Sequence, residues 1–423
     1  MRSTRARSLM SLVAVCSLAF AAVGSHAQQA DIPAELRDIF YPYREVTPQV
    51  EGITPGMTIT QDNAQVAETV LPPEILRVVQ AGDFEIRVQE TTDTPLFAGY
   101  VAASADNVGQ VQLGADGRLE NYTAGQPFPI LDVSDPQAGV KAAWNYRYRY
   151  MGDSLQTQGV LRSINSSGRV ERSVDTDYAR LYGMHRLDPA DNVEKWQKEG
   201  TWWREHSVVL QPQDLEGAQS LSFHYDDDST ERKVWAYDPQ SRRTRSIASN
   251  VLETSFGLNF LIEDHAGFQG YIRDHSWNYL GEQVVLIPGI VKGRAPEDFG
   301  GKGNWYPQIP WELRRVHVVE ATPSDPNHPY GKRRLYIDRQ LYAVFYSIIY
   351  DREGQHWRTL FHLLGYSAFH PDNIDVPGIS VHLGNLCVDY QNDVASLWTG
   401  KVLINKPVKA RRFTVKEMIR RGK

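Results

Sequence analysis

From Trp144 onward the chain alternates short apolar and polar positions and breaks them with turn-forming clusters, the pattern of consecutive β-strands. Trp144-Asn145-Tyr146-Arg147-Tyr148-Arg149-Tyr150 places aromatic and polar residues at period two. It predicts a strand with one aromatic face and an arginine face that is wet or ion-paired. Thr157 to Ile164 and Val170 to Val174 flank Asn165-Ser166-Ser167-Gly168 and predict a hairpin. Trp202 to Leu210, Leu221 to Tyr225 and Lys233 to Tyr237 continue the meander, with turns at Asp226-Asp227-Asp228-Ser229 and Asp238-Pro239. Further strands are predicted at Trp277 to Ile287, Trp311 to Ala321, Lys332 to Asp338, Leu341 to Asp351 and His356 to Leu364.

Three segments depart from this pattern. Residues 28–140 are rich in Pro, Gly, Thr and Asp, with one helical candidate at Pro73 to Ala81, and predict a loop-rich N-terminal region that wraps the rest. Asn250 to Arg273 crowds Phe256, Leu258, Phe260, Leu261 and Ile262 ahead of Glu263-Asp264, which predicts a loop with a short helix. At the C-terminus, Thr414-Val415-Lys416-Glu417 has the form of a capping box and predicts a short helix within a basic tail, 401–423. The sum is a mainly β protein. Residues 141–400 form a large curved antiparallel sheet or incomplete barrel closed by short helices, because an open sheet must cover its apolar face.

The first 27 residues read as a secretory signal peptide. Arg2, Arg5 and Arg7 precede an apolar run from Leu9 to Val23, and Ser25-His26-Ala27 has the small-x-small form of a cleavage site. A cleaved leader places the protein in the periplasm and removes Cys16, leaving Cys387 without a disulfide partner. No later segment is apolar for long enough to span a bilayer.

The leader's three arginines account for the difference between the net charge of −6 for the whole chain and −9 for the remainder, which argues against nucleic acid as a partner. Charge is unevenly placed. The tail carries nine Lys or Arg against the single Glu417, so Lys409, Arg411, Arg412, Arg420 and Arg421 are candidate contacts to an anionic membrane or a partner. The acidic body offers them an intramolecular alternative.

Several pieces occur in an order that resembles a family. They are Phe128-Pro129-Ile130, Ala142-Ala143-Trp144-Asn145-Tyr146-Arg147, Lys233-Val234-Trp235-Ala236-Tyr237-Asp238-Pro239, Phe256-Gly257-Leu258-Asn259-Phe260 with Glu263-Asp264, Trp277-Asn278-Tyr279-Leu280-Gly281-Glu282, and Val318-Val319-Glu320-Ala321-Thr322-Pro323 leading to Arg334-Leu335-Tyr336-Ile337-Asp338. Together they resemble a proteobacterial periplasmic family labelled outer-membrane lipoprotein-sorting-like, distantly similar to the lipoprotein carrier LolA and acceptor LolB. The resemblance implies an incomplete barrel closed by helices over an apolar cavity for acyl chains. It implies a shuttle for a lipid or another hydrophobic ligand, or, alternatively, an accessory subunit of a resistance-nodulation-division-type exporter. This chain is longer than those carriers and is expected to carry no lipid anchor like that of LolB, because Val15 precedes Cys16 where a lipidation site needs a small residue.

On that reading Trp235, Tyr237, Phe256, Phe260, Trp277, Tyr279, Tyr336 and Phe345 are the candidates for lining a cavity. No catalytic, cofactor or metal motif stands out. The acid-histidine pairs Asp264-His265 and Asp274-His275 offer half of a metal site or a hydrolase's general base with its orienting carboxylate, but their spacing constrains little and they read as exposed loop residues. Asp226-Asp227-Asp228 lacks the glycine and terminal glutamate of a calcium loop, and Gly300-Gly301-Lys302-Gly303 is followed by Asn304 where a phosphate loop needs Ser or Thr.

Overall fold

The computed structural model describes residues 31–187, 193–376 and 378–422. The predicted leader lies outside the described residues. Numbered along the chain, the strands of the main sheet are β1 (Thr58–Ile59), β2 (Ile86–Gln89), β3 (Ser154–Asn165), β4 (Val170–Tyr182), β5 (Thr201–Gln211), β6 (Gln219–Tyr225), β7 (Lys233–Asp238), β8 (Arg243–Ile247), β9 (His275–Pro288), β10 (Trp311–Pro323), β11 (Lys332–Asp338), β12 (Val344–Tyr350), β13 (His356–Tyr366), β14 (Ser380–Asp389) and β15 (Val394–Ile404). The helices are α1 (Ala34–Phe40), α2 (Pro73–Gln80), α3 (Ala98–Asp106), α4 (Ala138–Arg147), α5 (Glu194–Lys198) and α6 (Val415–Arg421).

The fifteen strands make one open sheet in the order β1-β2-β10-β11-β12-β13-β14-β15-β3-β4-β5-β6-β7-β8, with β9 also paired to β10. Every pairing is antiparallel except that of β2 with β10, where Val88 faces Trp311. The sheet does not close into a barrel, so the mainly β, open-shell expectation holds. Most adjacent strands are also neighbours in sequence, because tight turns connect them. Asn165 Oδ1 accepts from the amides of Ser167 and Arg169, and Asp351 Oδ1 from those of Glu353 and Gln355. Such side-chain bonds satisfy turn backbone that the strands leave unpaired.

The central strands are buried on both faces. All of β12 and most of β13 and β14 are inaccessible, which explains their continuous apolar runs. On one face Tyr346, Ile348, Phe361, Leu363, Leu386 and Val388 pack with Phe40, Ile59, Ile75, Val79 and Trp305. The N-terminal residues Ile32 to Val101 thus supply more than a third of the buried members of this cluster. Buried Arg314 fastens this layer: it donates to Asp338 at 2.6 Å, to Glu312 at 2.9 Å and to the Thr92 carbonyl at 2.6 Å. On the other face Leu161, Ile349, Leu360 and Cys387 pack with Leu258, Phe260 and Leu261 of the 250–273 segment. That segment is irregular, as expected, and contains the 3-10 turns Ser255–Gly257 and Ile262–Gly267.

One expectation is overturned. Residues 144–150 are not a strand: Trp144 to Arg147 complete α4, and Tyr148 caps it. Alternation at period two over seven residues was outweighed by what precedes it. Ala138, Ala142 and Ala143 favour helix, and Trp144 stacks on Tyr148 four residues later with centroids 5.7 Å apart. Gly139 lets the helix lie directly on β9, where a β-carbon would intrude on the Trp277 carbonyl. Asn145 then bonds the amide and carbonyl of Phe128, both at 2.7 Å. Five strands of the sheet, β1, β2, β8, β14 and β15, carried no sequence expectation of a strand.

The predicted borders at 140/141 and 400/401 fall inside α4 and β15 respectively. The C-terminal tail is folded onto the body. Thr414 caps α6 by accepting from the Glu417 amide, Phe413 and Met418 are fully buried, and the Tyr237 hydroxyl donates to the Gly422 carbonyl. Among the described residues no helix is long and apolar enough to cross a membrane.

A cationic cleft as candidate functional site

The cleft lies between α4, the strands β4 to β6, and the overlying 250–273 segment. Its wall comprises Tyr146, Arg147, Arg149 and Met151 from α4 and its exit, Arg180 and Tyr182 from β4, Trp202 and Trp203 from β5, His224 from β6, Arg232, and Phe268 to Ile272 from above. Its cavity volume is about 60 Å³, and it opens to solvent. The space is narrow, and its wall is half polar.

Neighbouring strands explain this composition. On β4 and β5, Arg180 and Glu205 are register partners, as are Tyr182 and Trp203. The Arg180 guanidinium stacks 3.1 Å from the Trp203 ring centroid and pairs with Glu205 at 3.3 Å. Glu205 also accepts from the Tyr178 hydroxyl at 2.6 Å and sits 3.0 Å from His224 Nε2. Burial opposes ionisation of Glu205, but His224, Arg180 and Tyr178 together hold it well below the ordinary carboxylate range. Burial also pushes His224 down to about 4, so its ring is neutral at pH 7.

Arg147 pairs with Asp228 and lies 4.6 Å over the Trp202 ring. Arg149 donates to the Tyr146 carbonyl at 2.7 Å and covers the Tyr146 ring at 3.9 Å. Arg232 donates to Ser249. Deeper in the shell, His362 lies 5.6 Å from His382, and neither of its ring nitrogens has a hydrogen-bond partner among the described residues. Burial, with the nearby charges of His382 and Arg149, holds His362 well below its usual value.

None of the eight aromatic candidates borders this cleft. Tyr336 and Phe345 face the N-terminal layer, and Phe260 packs from the 250–273 segment onto the sheet. Trp277 and Tyr279 flank α4, whereas Trp235 and Tyr237 pack with the C-terminal helix. Phe256 is 36% exposed. The structure thus spreads the other seven over four packed clusters. Of the five basic candidates, Arg412 pairs with Asp177, and Arg420 and Arg421 with Glu417. Lys409 and Arg411 remain exposed.

Asp264 and its neighbour Glu263 are buried against Arg333, not solvated. Glu263, His275 and His328 bring possible ligand atoms within 4.8 Å of one another, but the Glu263 charge is already matched by Arg333. Asp226 accepts from Tyr148 and pairs with His185, Asp228 pairs with Arg147, and Asp227 closes its own turn onto Ser229. The acidic triplet is spent on these contacts.

A family model described as a protein of unknown function, DUF1329, matches residues 58–417. The chain belongs to the DUF1329 family. Two solved structures align along their whole length with 67% of this DUF1329 chain: one termed an outer-membrane lipoprotein-sorting protein domain, from Vibrio parahaemolyticus, at 18% identity and a TM-score of 0.47, and a DUF1329 protein from Desulfovibrio piger at 13% and 0.46. A LolA-superfamily protein from Nitrosomonas europaea aligns over 64% of this chain and 94% of its own, at 13% identity and a TM-score of 0.37. No curated protein matches the sequence. The family resemblance read from the sequence is therefore correct.

Sequence reasoning missed the residues of this DUF1329 cleft. A signal was present, because Arg147 and Arg149 were expected to be wet or paired, and Trp202-Trp203 opens a strand. Only the fold shows that β4, β5 and α4 bring these pieces together.

Proposed function

We propose that this DUF1329 protein is an exported periplasmic binding protein that shelters one hydrophobic or amphipathic ligand in the cleft and performs no chemistry on it. The carrying observation is the cleft itself, which lies inside the shell, connects to solvent and is roofed by an irregular segment. Sequestration is driven by transfer of apolar groups out of water, about 0.8 kcal/mol per buried methylene.

The present width admits a head group, so holding a chain requires the roof to yield. Phe260, Glu263 and Asp264 anchor the middle of the roof in the core. Of the roof residues that border the space, Val251, Gln269 and Tyr271 are only half-buried, and the yielding is assigned to them. The absence of a reaction is supported by the cleft's histidine and carboxylate, which satisfy each other. Burial also raises the Cys387 thiol far above its usual range, so it is not a nucleophile at neutral pH.

Protein purified from the periplasm is extracted with organic solvent, and the extract is analysed by mass spectrometry. A stoichiometric lipid or other hydrophobe is the expected result. Protein that carries none, and whose Trp202 and Trp203 emission ignores added amphiphiles, contradicts the reading.

A further inference from the structure

The charges around the cleft do not balance. Asp228 is taken by Arg147 and Glu205 by Arg180. Arg149 and Arg232 also border the space, and neither has a carboxylate within ion-pair distance among the described residues. Both are half-buried, where a guanidinium keeps its charge and loses part of its hydration. Their present bonds run to the Tyr146 and Ala266 carbonyls and to Ser249, neutral acceptors that leave the charge uncompensated.

The unpaired atoms have the same polarity. Arg147 Nε and Trp203 Nε1 are buried in this wall with no hydrogen-bond partner among the described residues, and both are N–H donors. Trp203 is only 4% exposed. Donors left unsatisfied in a natural interior cost free energy, and a bound acceptor removes that cost. Surplus positive charge and orphan donors therefore call for the same complement, an anionic group rich in acceptor oxygens.

We infer that the cleft recognises the anionic head of an amphiphile, a carboxylate or a phosphate, through Arg149 and Arg232, with Arg147 Nε and Trp203 Nε1 as further donors. This rests on the cleft being the binding site proposed above. Arginine suits the task because its planar fork meets carboxylate and phosphate oxygens in pairs. The narrow space is the head-group end, and the aromatic wall of Tyr182, Trp202 and Phe268 adjoins it.

The test titrates the whole protein, by calorimetry and tryptophan emission, with dodecanoate, dodecanol, dodecyltrimethylammonium and inorganic phosphate. Expected is binding of dodecanoate at least tenfold tighter than of dodecanol and a further tenfold weakening of dodecanoate in R149M and in R232M. Dodecanol affinity stays constant in both variants, which also shows that they fold. R149K and R232K retain the charge but not the fork and recover only part of the loss.

Equal binding of dodecanol and dodecanoate, with neither moved by the arginine variants, overturns the head-group assignment and leaves the carrier reading standing. Tighter binding of the ammonium probe overturns it as well. Phosphate binding as tight as dodecanoate supports the anion site and removes the carrier reading, since the chain then adds nothing. Failure of all four probes removes both.

Discussion

Arg333 holds the roof of the cleft to the sheet, and replacing it with methionine tests that reasoning. The side chain is 1% exposed on β11 and donates to Asp264 at 2.9 Å and to Glu263. Asp264 accepts further bonds from the Tyr330 hydroxyl and the Leu261 amide, both at 2.7 Å. R333M leaves two carboxylates buried without their cation. Removing one partner of a buried pair costs about 3–5 kcal/mol.

The carboxyl of Glu263 gives an independent figure. Burial alone would raise it, but Arg333 and His328 bring it from 4.5 to about 2. That difference corresponds to about 3 kcal/mol favouring the charged form in the folded state. The sign follows from the depressed value: the contribution is fully present above the ordinary carboxylate range and is lost as pH falls toward about 2. Urea unfolding of wild type and R333M, followed by far-UV circular dichroism, should differ by about 3–5 kcal/mol at pH 7, with the gap narrowing below about pH 5. A gap under about 1 kcal/mol at pH 7, the value of an exposed pair, refutes the reasoning. So does a gap that acid leaves unchanged.

Two further outcomes follow from the fold. G139A puts a β-carbon into the Trp277 backbone, where no side chain can give way, so thermal unfolding should show a loss of about 2 kcal/mol or more, and an unchanged midpoint would mean that α4 does not lie on β9. T414A removes the cap of α6 and should cost about 1 kcal/mol locally, read as faster amide exchange confined to residues 415–421.

Much of the sheet was legible because its strands connect through short turns. Asn165 to Gly168 and Asp351 to Gly354 carry the turn chemistry on their own residues, so neighbouring strands could be paired without knowing the rest. The capping box at Thr414 was equally local. Trp144 to Tyr150 misled because period two and an i,i+4 stack are both compatible with its rings. Contact of Gly139 with β9, invisible in the sequence, settled which applied. The aromatic candidates failed to converge on the cleft for a related reason. Ring size and period identify burial, and a sheet buried on both faces gives every strand two interiors.

The sequence by itself determined the class of this protein, through alternating strands with their turn residues and a family order of short pieces. These are short-range properties, since each needs only a few adjacent residues to be read. Tertiary structure alone decided which face each strand buries against which layer, and that Arg147, Arg149, Arg180 and Arg232 border one space. Separations of up to 85 residues are bridged there by strand pairing and helix packing, and the balance of charge in a cleft depends on which carboxylates reach it.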